Sequence, residues 1–213
     1  MNLFDTHCHI AAIGAHPHNA CRYSDDAEAA ILHYLSHPKC RLLGEIGLDY
    51  HYDLSPREVQ RDVFDRQLEL AYERQVPVQL HIREAHGDCM DMLRSRLSAG
   101  RMPAGVMHCY TGSWEAAKVY LDAGLYISLS GALTFKNAPK LQEVCRNVPA
   151  DRLLIETDCP YMAPVPLRGR RNEPAFITNT LAKAAELREI SPERMAEQLY
   201  ENALRIFGLR DEA

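Results

Sequence analysis

The sequence predicts an α/β fold, a (β/α) barrel of the TIM type with one strand fewer than the usual eight. Short apolar or β-branched runs alternate with amphipathic segments along the chain, a rhythm typical of a mainly parallel sheet. The runs end in His, Glu or Asp, and the carboxyl ends of barrel strands gather at one face. An open, doubly wound sheet is the alternative, but it would place ligands only where the strand order reverses.

Seven strands and five helices are predicted. The strands are residues 2–6, 11–15, 41–46, 76–82, 105–109, 125–130 and 153–157. The helices are residues 56–74, 114–123, 138–147, 175–189 and 192–207. Ser113 and Ser191 are the expected N-caps of two of these helices, because a hydroxyl oxygen accepts from the first-turn amides.

The composition is that of an ordinary globular protein. The chain has 213 residues, 46% hydrophobic and 25% charged, so we expect one domain over residues 1–213. It contains no apolar run of the ~18 residues that cross a bilayer, and its N-terminus does not resemble a secretion signal, so a cytoplasmic location is expected. A net charge of −5 argues against broad coating of nucleic acid, so any DNA contact must be local.

Two histidines, His7 and His9, alternate at the end of the first predicted strand. Alternate residues of a strand face the same side, so both imidazoles can reach one metal ion. Considered alone, such a pair more often consists of two partly exposed histidines than of two metal ligands.

Four further residues follow apolar runs in the same way. They are Glu45, His81, His108 and Asp158. A lone histidine at a strand end is usually a hydrogen-bonded structural residue. Packing alone, however, does not explain why residues of metal-binding types stand at the ends of so many predicted strands. Mixed nitrogen and oxygen donors suit Zn²⁺ or Mn²⁺, and a carboxylate such as Glu45 can bridge two ions.

Several motifs resemble the signatures of the TatD family of metal-dependent deoxyribonucleases. They are Asp5–His9 (DTHCH), Gly14–His18 (GAHPH), Gly44–Tyr50 (GEIGLDY), Met107–Gly112 (MHCYTG), Glu156–Tyr161 (ETDCPY) and Tyr200–Ala203 (YENA). The resemblance covers nearly the whole chain, and it implies a barrel of the metal-dependent hydrolase type.

The resemblance also implies a reaction and two divalent ions, Zn, Mg or Mn. One ion would be held by His7, His9, Glu45 and Asp158, and the other by Glu45, His81 and His108. Asp158 would also orient or deprotonate the attacking water. The implied reaction is hydrolysis of phosphodiester bonds, with DNA 3′ ends as the expected substrate.

Six residues are candidates for substrate binding: His16, His18, Asp49, Arg168, Arg170 and Arg171. Arginine suits bidentate contact with phosphate, although the three arginines also fit a solvated loop. His16 and His18 fit a turn equally well, and Asp49 can instead cap the loop that follows it.

The chain departs from the family between His9 and His16. In relatives, a helix, a strand and a second helix occupy this place, and six residues cannot accommodate the crossover that parallel strands require. If the gap is native, residues 2–15 run as one long strand and only one HxH pair reaches the metals. We expect a monomer without membrane contact, and a dimer if the barrel is open.

Two other functions compete with a nuclease. One is an amidohydrolase acting on C–N bonds, which shares the HxH pair but commonly bridges its metals with a carboxylated lysine where this chain has Glu45. The other is a degenerate barrel that binds metal without turnover, for which the short segment after His9 is the motivation.

Overall fold

The computed structural model describes residues 3–6 and 12–209. These residues form two compact units. The N-terminal unit comprises residues 12–107 and 123–125, and the C-terminal unit comprises residues 3–6, 108–122 and 126–209. The expectation of a single domain over residues 1–213 stays a prediction.

The N-terminal unit contains four parallel strands and three helices. In chain order they are β1 (Ala12–Ile13), α1 (Asp25–Leu35), β2 (Leu42–Asp49), α2 (Arg57–Arg74), β3 (Val78–Arg83), α3 (His86–Ser98) and β4 (Gly105–Met107). Each strand pairs with the next in the order β1-β2-β3-β4. Strands β2 and β3 supply a fully buried apolar layer that includes Leu43, Ile46 and Leu80.

The C-terminal unit contains two parallel strands and four helices. They are α4 (Trp114–Asp122), β5 (Tyr126–Leu129), α5 (Pro139–Asn147), β6 (Leu153–Ile155), α6 (Ile177–Arg188) and α7 (Pro192–Ile206). The side-chain amide of Asn202 on α7 donates to the carbonyls of Ala150 and Leu153 and so attaches this helix to the start of β6.

Most predicted elements are confirmed. Six of the seven predicted strands form, and all five predicted helices lie within one or two residues of their expected bounds. Ser113 and Ser191 accept from the amides of Ala116 and Arg194, as N-caps do.

The prediction of one long strand over residues 2–15 is wrong for the residues that the structure describes. Residues 3–6 are not in a strand, β1 has only two residues, and Gly14 lies in a bend. The amide of Thr6 nevertheless donates to the Ile155 carbonyl, so this segment lies beside β6. Residues 7–11 lie outside the described part of the chain, and the missing helix-strand-helix stays a prediction.

No helix in residues 3–6 and 12–209 is long and apolar enough to span a membrane. The predicted cytoplasmic location and monomeric state stay predictions.

Gly47 allows β2 and β3 to approach closely at the level of His81. The two residues are partners in the strand register, Gly47 has φ of +147°, and a Cβ atom at this position would collide with the His81 carbonyl oxygen. We therefore expect Gly47→Ala to lower the free energy of unfolding by about 1–3 kcal/mol, measured by urea denaturation.

Gly87 provides the control for this substitution. It lies in the first turn of α3, and an added Cβ would meet nothing within 4 Å. Gly87→Ala should be neutral or stabilising by up to about 1 kcal/mol. Equal stability of the two variants would contradict the close approach at Gly47.

Candidate metal centre

A group of imidazoles and carboxylates lies along β2 and β3 and in the segment that follows β1. This β2–β3 cluster consists of His16, His18, Glu45, Asp49 and His81. Glu45 Oε2 lies 3.2 Å from His81 Nδ1 and 3.8 Å from His16 Nε2. The other ring nitrogen of His81, Nε2, donates to Asp49 Oδ2 at 3.0 Å, and His18 Nε2 donates to the same oxygen at 2.9 Å.

Asp49 fixes both the cluster and the loop that follows β2. Its side chain is completely buried, and its second oxygen, Oδ1, accepts from the backbone amides of His51 and Tyr52 at 3.0 and 2.9 Å. These contacts match the loop-capping alternative for Asp49, and they add a role in orienting His81. Substrate binding by Asp49 stays a prediction.

Three buried polar residues that the sequence analysis did not single out hold the cluster in place. Gln67 pairs with the backbone of Ala15 through both its oxygen and its amide nitrogen, which positions His16. Gln60 accepts from the Asp49 amide, and the Ser55 hydroxyl donates to the His18 carbonyl. Gln60 and Gln67 are seven residues apart on α2 and so share its buried face, and this spacing was the available signal.

The pKa values of the two central histidines shift in opposite directions. Burial opposes a charge on His81, but hydrogen bonds to Asp49 and Glu45 outweigh it and raise its pKa to about 9. Burial and the neighbouring His81 lower the pKa of His16 to about 3. For Asp49, burial opposes the charge, but hydrogen bonds from His81, Tyr52 and His18 hold its pKa well below the usual range.

These shifts predict that the joint contribution of His16 and His81 to the free energy of unfolding of the metal-free protein is largest near pH 6.5. Between pH 6.5 and about 9, folded His81 keeps a proton that the unfolded chain has released, so stability falls as pH rises. Between pH 6.5 and about 3, unfolded His16 binds a proton that the folded chain excludes, so stability falls as pH drops.

Urea denaturation in EDTA over a pH series measures this dependence, in which each group contributes a slope of at most about 1.4 kcal/mol per pH unit. His81→Ala should flatten the alkaline side of the profile, and His16→Ala should flatten the acid side. An unchanged alkaline slope in His81→Ala would show that other groups cause it.

The donor atoms of the β2–β3 cluster fit a divalent metal ion. One ligand atom each from His16, Glu45 and His81 lies within 4.8 Å of the others. The bond from His81 to Asp49 fixes the proton on Nε2, which leaves Nδ1 as the metal-binding nitrogen beside Glu45. In His16, Nδ1 accepts from the His18 amide, so the proton resides on Nε2 and this nitrogen donates. Of the three residues, Glu45 and His81 therefore remain as ligands, and His16 is a hydrogen-bond donor beside them.

In the C-terminal unit, a second group is formed by residues 108, 156 and 158, the last two of which follow β6. This His108 cluster consists of His108, Glu156 and Asp158. His108 Nδ1 lies 2.9 Å from Glu156 Oε1, and its Nε2 lies 3.8 Å from Asp158 Oδ1. The ring therefore lies between two carboxylates, with one nitrogen directed toward each. His81 has the same arrangement with the nitrogens exchanged, because its Nε2 contacts the buried carboxylate of Asp49 and its Nδ1 faces Glu45.

Glu156 is a completely buried carboxylate whose charge is satisfied by several donors. The Cys109 amide, the Ser128 hydroxyl and the Thr6 hydroxyl donate to it at 2.5, 2.7 and 3.4 Å. Its contact with His108 corresponds to the partner role that a buried carboxylate gives a metal-ligating histidine.

Asp5, from the DTHCH motif, holds the chain directly before Asp158. Its two oxygens accept from the amide and the hydroxyl of Thr157 at 2.9 and 2.5 Å. Asp158 itself has φ of +56°, in the left-handed region, and its side chain is 13% exposed. The carboxylate is thus held at the edge of the cluster, where solvent reaches it.

The three candidate arginines, Arg168, Arg170 and Arg171, lie exposed in the loop after Asp158. The guanidinium of Arg168 stacks over the Phe135 ring at 4.1 Å. Buried Asn172 donates to the carbonyls of Thr157 and Tyr161, so the base of this loop is attached to the Asp158 segment. The side chains are placed to reach a ligand in solution, and phosphate binding by them stays a prediction.

The structure brings together the predicted metal ligands that it describes in each unit, and the two remaining predicted ligands lie outside its described part. Glu45 and His81 share one cluster with His16, His18 and Asp49. His108 and Asp158 share the other. His7 and His9 lie in the segment of residues 7–11, which is not described.

Comparisons with known proteins identify the class to which this fold and these residues belong. The chain resembles YjjV, a TatD homologue from Escherichia coli K12, with a TM-score of 0.85 and 30% identity, over 94% of this chain and 77% of that one. The predicted class, a TIM-like (β/α) barrel of the metal-dependent hydrolase type, is therefore confirmed.

The family follows from the sequence comparisons. The model of the TatD related DNase family matches residues 6–208, so the chain belongs to this family. It is 43% identical to the uncharacterized metal-dependent hydrolase YabD of Bacillus subtilis, over 93% of this chain and 77% of YabD. It is 35% identical to the 3′–5′ ssDNA/RNA exonuclease TatD of Citrobacter koseri, over 95% of this chain and 79% of that protein. The predicted family and the predicted reaction class, metal-dependent hydrolysis, are confirmed.

Proposed function

We propose that this chain is a divalent-metal-dependent nuclease that hydrolyses phosphodiester bonds of DNA from the 3′ end. The observation that carries the proposal is the common arrangement of His81 and His108. A buried carboxylate lies within 3.0 Å of one nitrogen of each ring, and the other nitrogen faces Glu45 or Asp158. Metal-ligating histidines in enzymes are typically held in this way. Membership of the TatD related DNase family supports the substrate class.

The proposed ligands are Glu45 and His81 in the N-terminal unit and His108 and Asp158 in the C-terminal unit. The family resemblance adds His7 and His9 and implies two ions, for which nitrogen and oxygen donors favour Zn²⁺ or Mn²⁺ over Mg²⁺. When bound, such ions neutralise charge on the phosphate oxygens and activate water.

The chain's own residues position the substrate and move the proton. Asp158, which solvent reaches, takes the proton of the attacking water. His16 stays neutral because of its lowered pKa and offers Nε2–H as a donor to a phosphate oxygen. His18 lies beside it, with a ring-to-ring distance of 4.3 Å.

The exposed arginines of the 168–171 loop are proposed to contact the phosphate backbone of the substrate. Because the protein has a net charge of −5, its overall charge does not attract the DNA backbone, so such phosphate contacts have to be local. Replacing Arg170 and Arg171 with glutamine should weaken DNA binding and reduce its salt dependence.

The test is cleavage by the purified chain, with its metal content measured by mass spectrometry. Single-stranded DNA labelled at either end identifies the direction of digestion, and RNA and duplex DNA define the substrate. A nitrophenyl phosphodiester and a cyclic amide separate phosphodiester from C–N hydrolysis.

We expect metal-dependent release of nucleotides from the 3′ end. Hydrolysis of the amide alone would overturn the proposal in favour of an amidohydrolase. Bound metal without turnover of any substrate would overturn it in favour of a non-catalytic barrel.

A further inference from the structure

An exposed aromatic ring lies next to the β2–β3 cluster. Tyr52 is 55% exposed, although it lies only three residues after the end of β2. Its ring meets the rings of His18 and His51 edge to face, at centroid distances of 5.3 and 4.9 Å. Tyr52 is therefore separated from the candidate metal ligands by a single imidazole.

The position of Tyr52 depends on the same carboxylate that orients His81. Asp49 accepts the Tyr52 amide through Oδ1 and the His81 ring through Oδ2. Because Asp49 is fully buried, the loop carrying Tyr52 is attached to the cluster at a fixed point. The ring is thus held beside the β2–β3 cluster while most of its surface faces solvent.

A positive charge accompanies the ring. The guanidinium of Arg83, at the end of β3, lies 4.8 Å from the centroid of Tyr52. Arg83 is the register partner of Asp49, so β2 and β3 bring the cation and the aromatic to the same edge of the sheet. An aromatic ring with an adjacent arginine is the combination that binds single-stranded nucleic acid through base stacking and phosphate contact.

The neighbouring Tyr50 shows what a structural tyrosine looks like in this loop. Its hydroxyl donates to Asp88 at 2.6 Å, and Arg57 stacks over its ring at 4.4 Å. Tyr52, by contrast, leaves most of its surface to solvent, and so does Leu54 two residues further along the chain, which is 64% exposed.

We propose that Tyr52, together with Arg83, is a stacking platform for a base of single-stranded nucleic acid near the scissile phosphodiester. This inference rests on the proposed nuclease function and specifies the form of its substrate. Bases inside a duplex stack on each other and offer no free face, whereas a single-stranded end does. The platform thereby selects single strands without reading their sequence.

The test compares Tyr52→Ala, Tyr52→Phe and Tyr52→Trp. Binding is measured in EDTA by fluorescence anisotropy of a labelled single-stranded oligothymidylate, and cleavage is measured on the same oligonucleotide and on methyl nitrophenyl phosphate, which has no base. Tyr34→Ala is the matched control, because Tyr34 on α1 is 56% exposed and also meets a histidine ring, that of His33.

We expect Tyr52→Ala to weaken oligonucleotide binding and raise KM by about 5- to 150-fold, with little change in kcat. Hydrolysis of the base-free diester should not change. The Phe and Trp variants should bind like the parent protein, because they keep a stacking ring, and Tyr34→Ala should have no effect.

Unchanged binding by Tyr52→Ala, or an equal loss on the base-free diester, would overturn the inference. An inactive parent protein would defeat the proposed nuclease function, whereas the anisotropy measurement would still decide the role of Tyr52. The two failures are therefore distinguishable.

Discussion

Asp158→Asn is expected to lower kcat for DNA cleavage by about 10²- to 10⁴-fold, the range that a positioned general base contributes. The side-chain amide cannot accept the proton of water, and it is a weaker metal ligand than a carboxylate. Asparagine is chosen because residue 158 has φ of +56°, a conformation that asparagine tolerates better than other side chains. The measurement is kcat and KM on single-stranded DNA over a pH series.

Asp151→Asn is the control for this substitution. Asp151 belongs to the same unit, its side chain is 60% exposed, and its contact is an ion pair with the adjacent Arg152. The Asp151→Asn variant should cleave DNA with the kcat and KM of the parent protein. If Asp158→Asn retains more than about a tenth of the parent kcat, Asp158 is not the base.

The helices that the sequence predicts have a continuous apolar face, as on α2, where Phe64, Leu68 and Ala71 are buried. Two helices, α1 and α3, were not among the predicted segments, and their burial explains why. Helix α1 buries only Ile31. Helix α3 places Arg96 on its buried face, where it pairs with Asp65 and Glu69, so the apolar pattern is interrupted by a charge that only the folded chain neutralises.

The candidate metal ligands could be predicted from the sequence, whereas the carboxylates that orient the two histidines could not be paired with them. Glu45, His81, His108 and Asp158 belong to residue types that bind metals, and they follow apolar runs. The partners of the two histidines depend on tertiary contacts instead. Asp49 reaches His81 only because β2 and β3 adopt their register, and Glu156, directly after β6, is held by Ser128 from the neighbouring strand β5.

His81→Ala is expected to abolish metal binding at the β2–β3 cluster and to lower kcat/KM by on the order of 10³-fold, because several kcal/mol of charge stabilisation by the metal are lost. His81 presents Nδ1 beside Glu45, and Asp49 fixes its orientation. Its raised pKa of about 9 means that a bound metal displaces a proton at neutral pH, so the metal affinity of the parent protein should increase with pH up to about 9. Metal content and Zn²⁺ titration at several pH values measure both effects.

His16→Ala distinguishes a ligand from a neighbour in the same cluster. Because His16 Nδ1 accepts from the His18 amide and Nε2 carries the proton, this variant should keep its metal while its kcat/KM falls. His33→Ala, an exposed histidine on α1, should change neither quantity. If His16→Ala loses the metal as completely as His81→Ala, then His16 is itself a ligand and its proton lies on Nδ1. If His81→Ala keeps its metal and activity, the metal centre does not depend on this cluster.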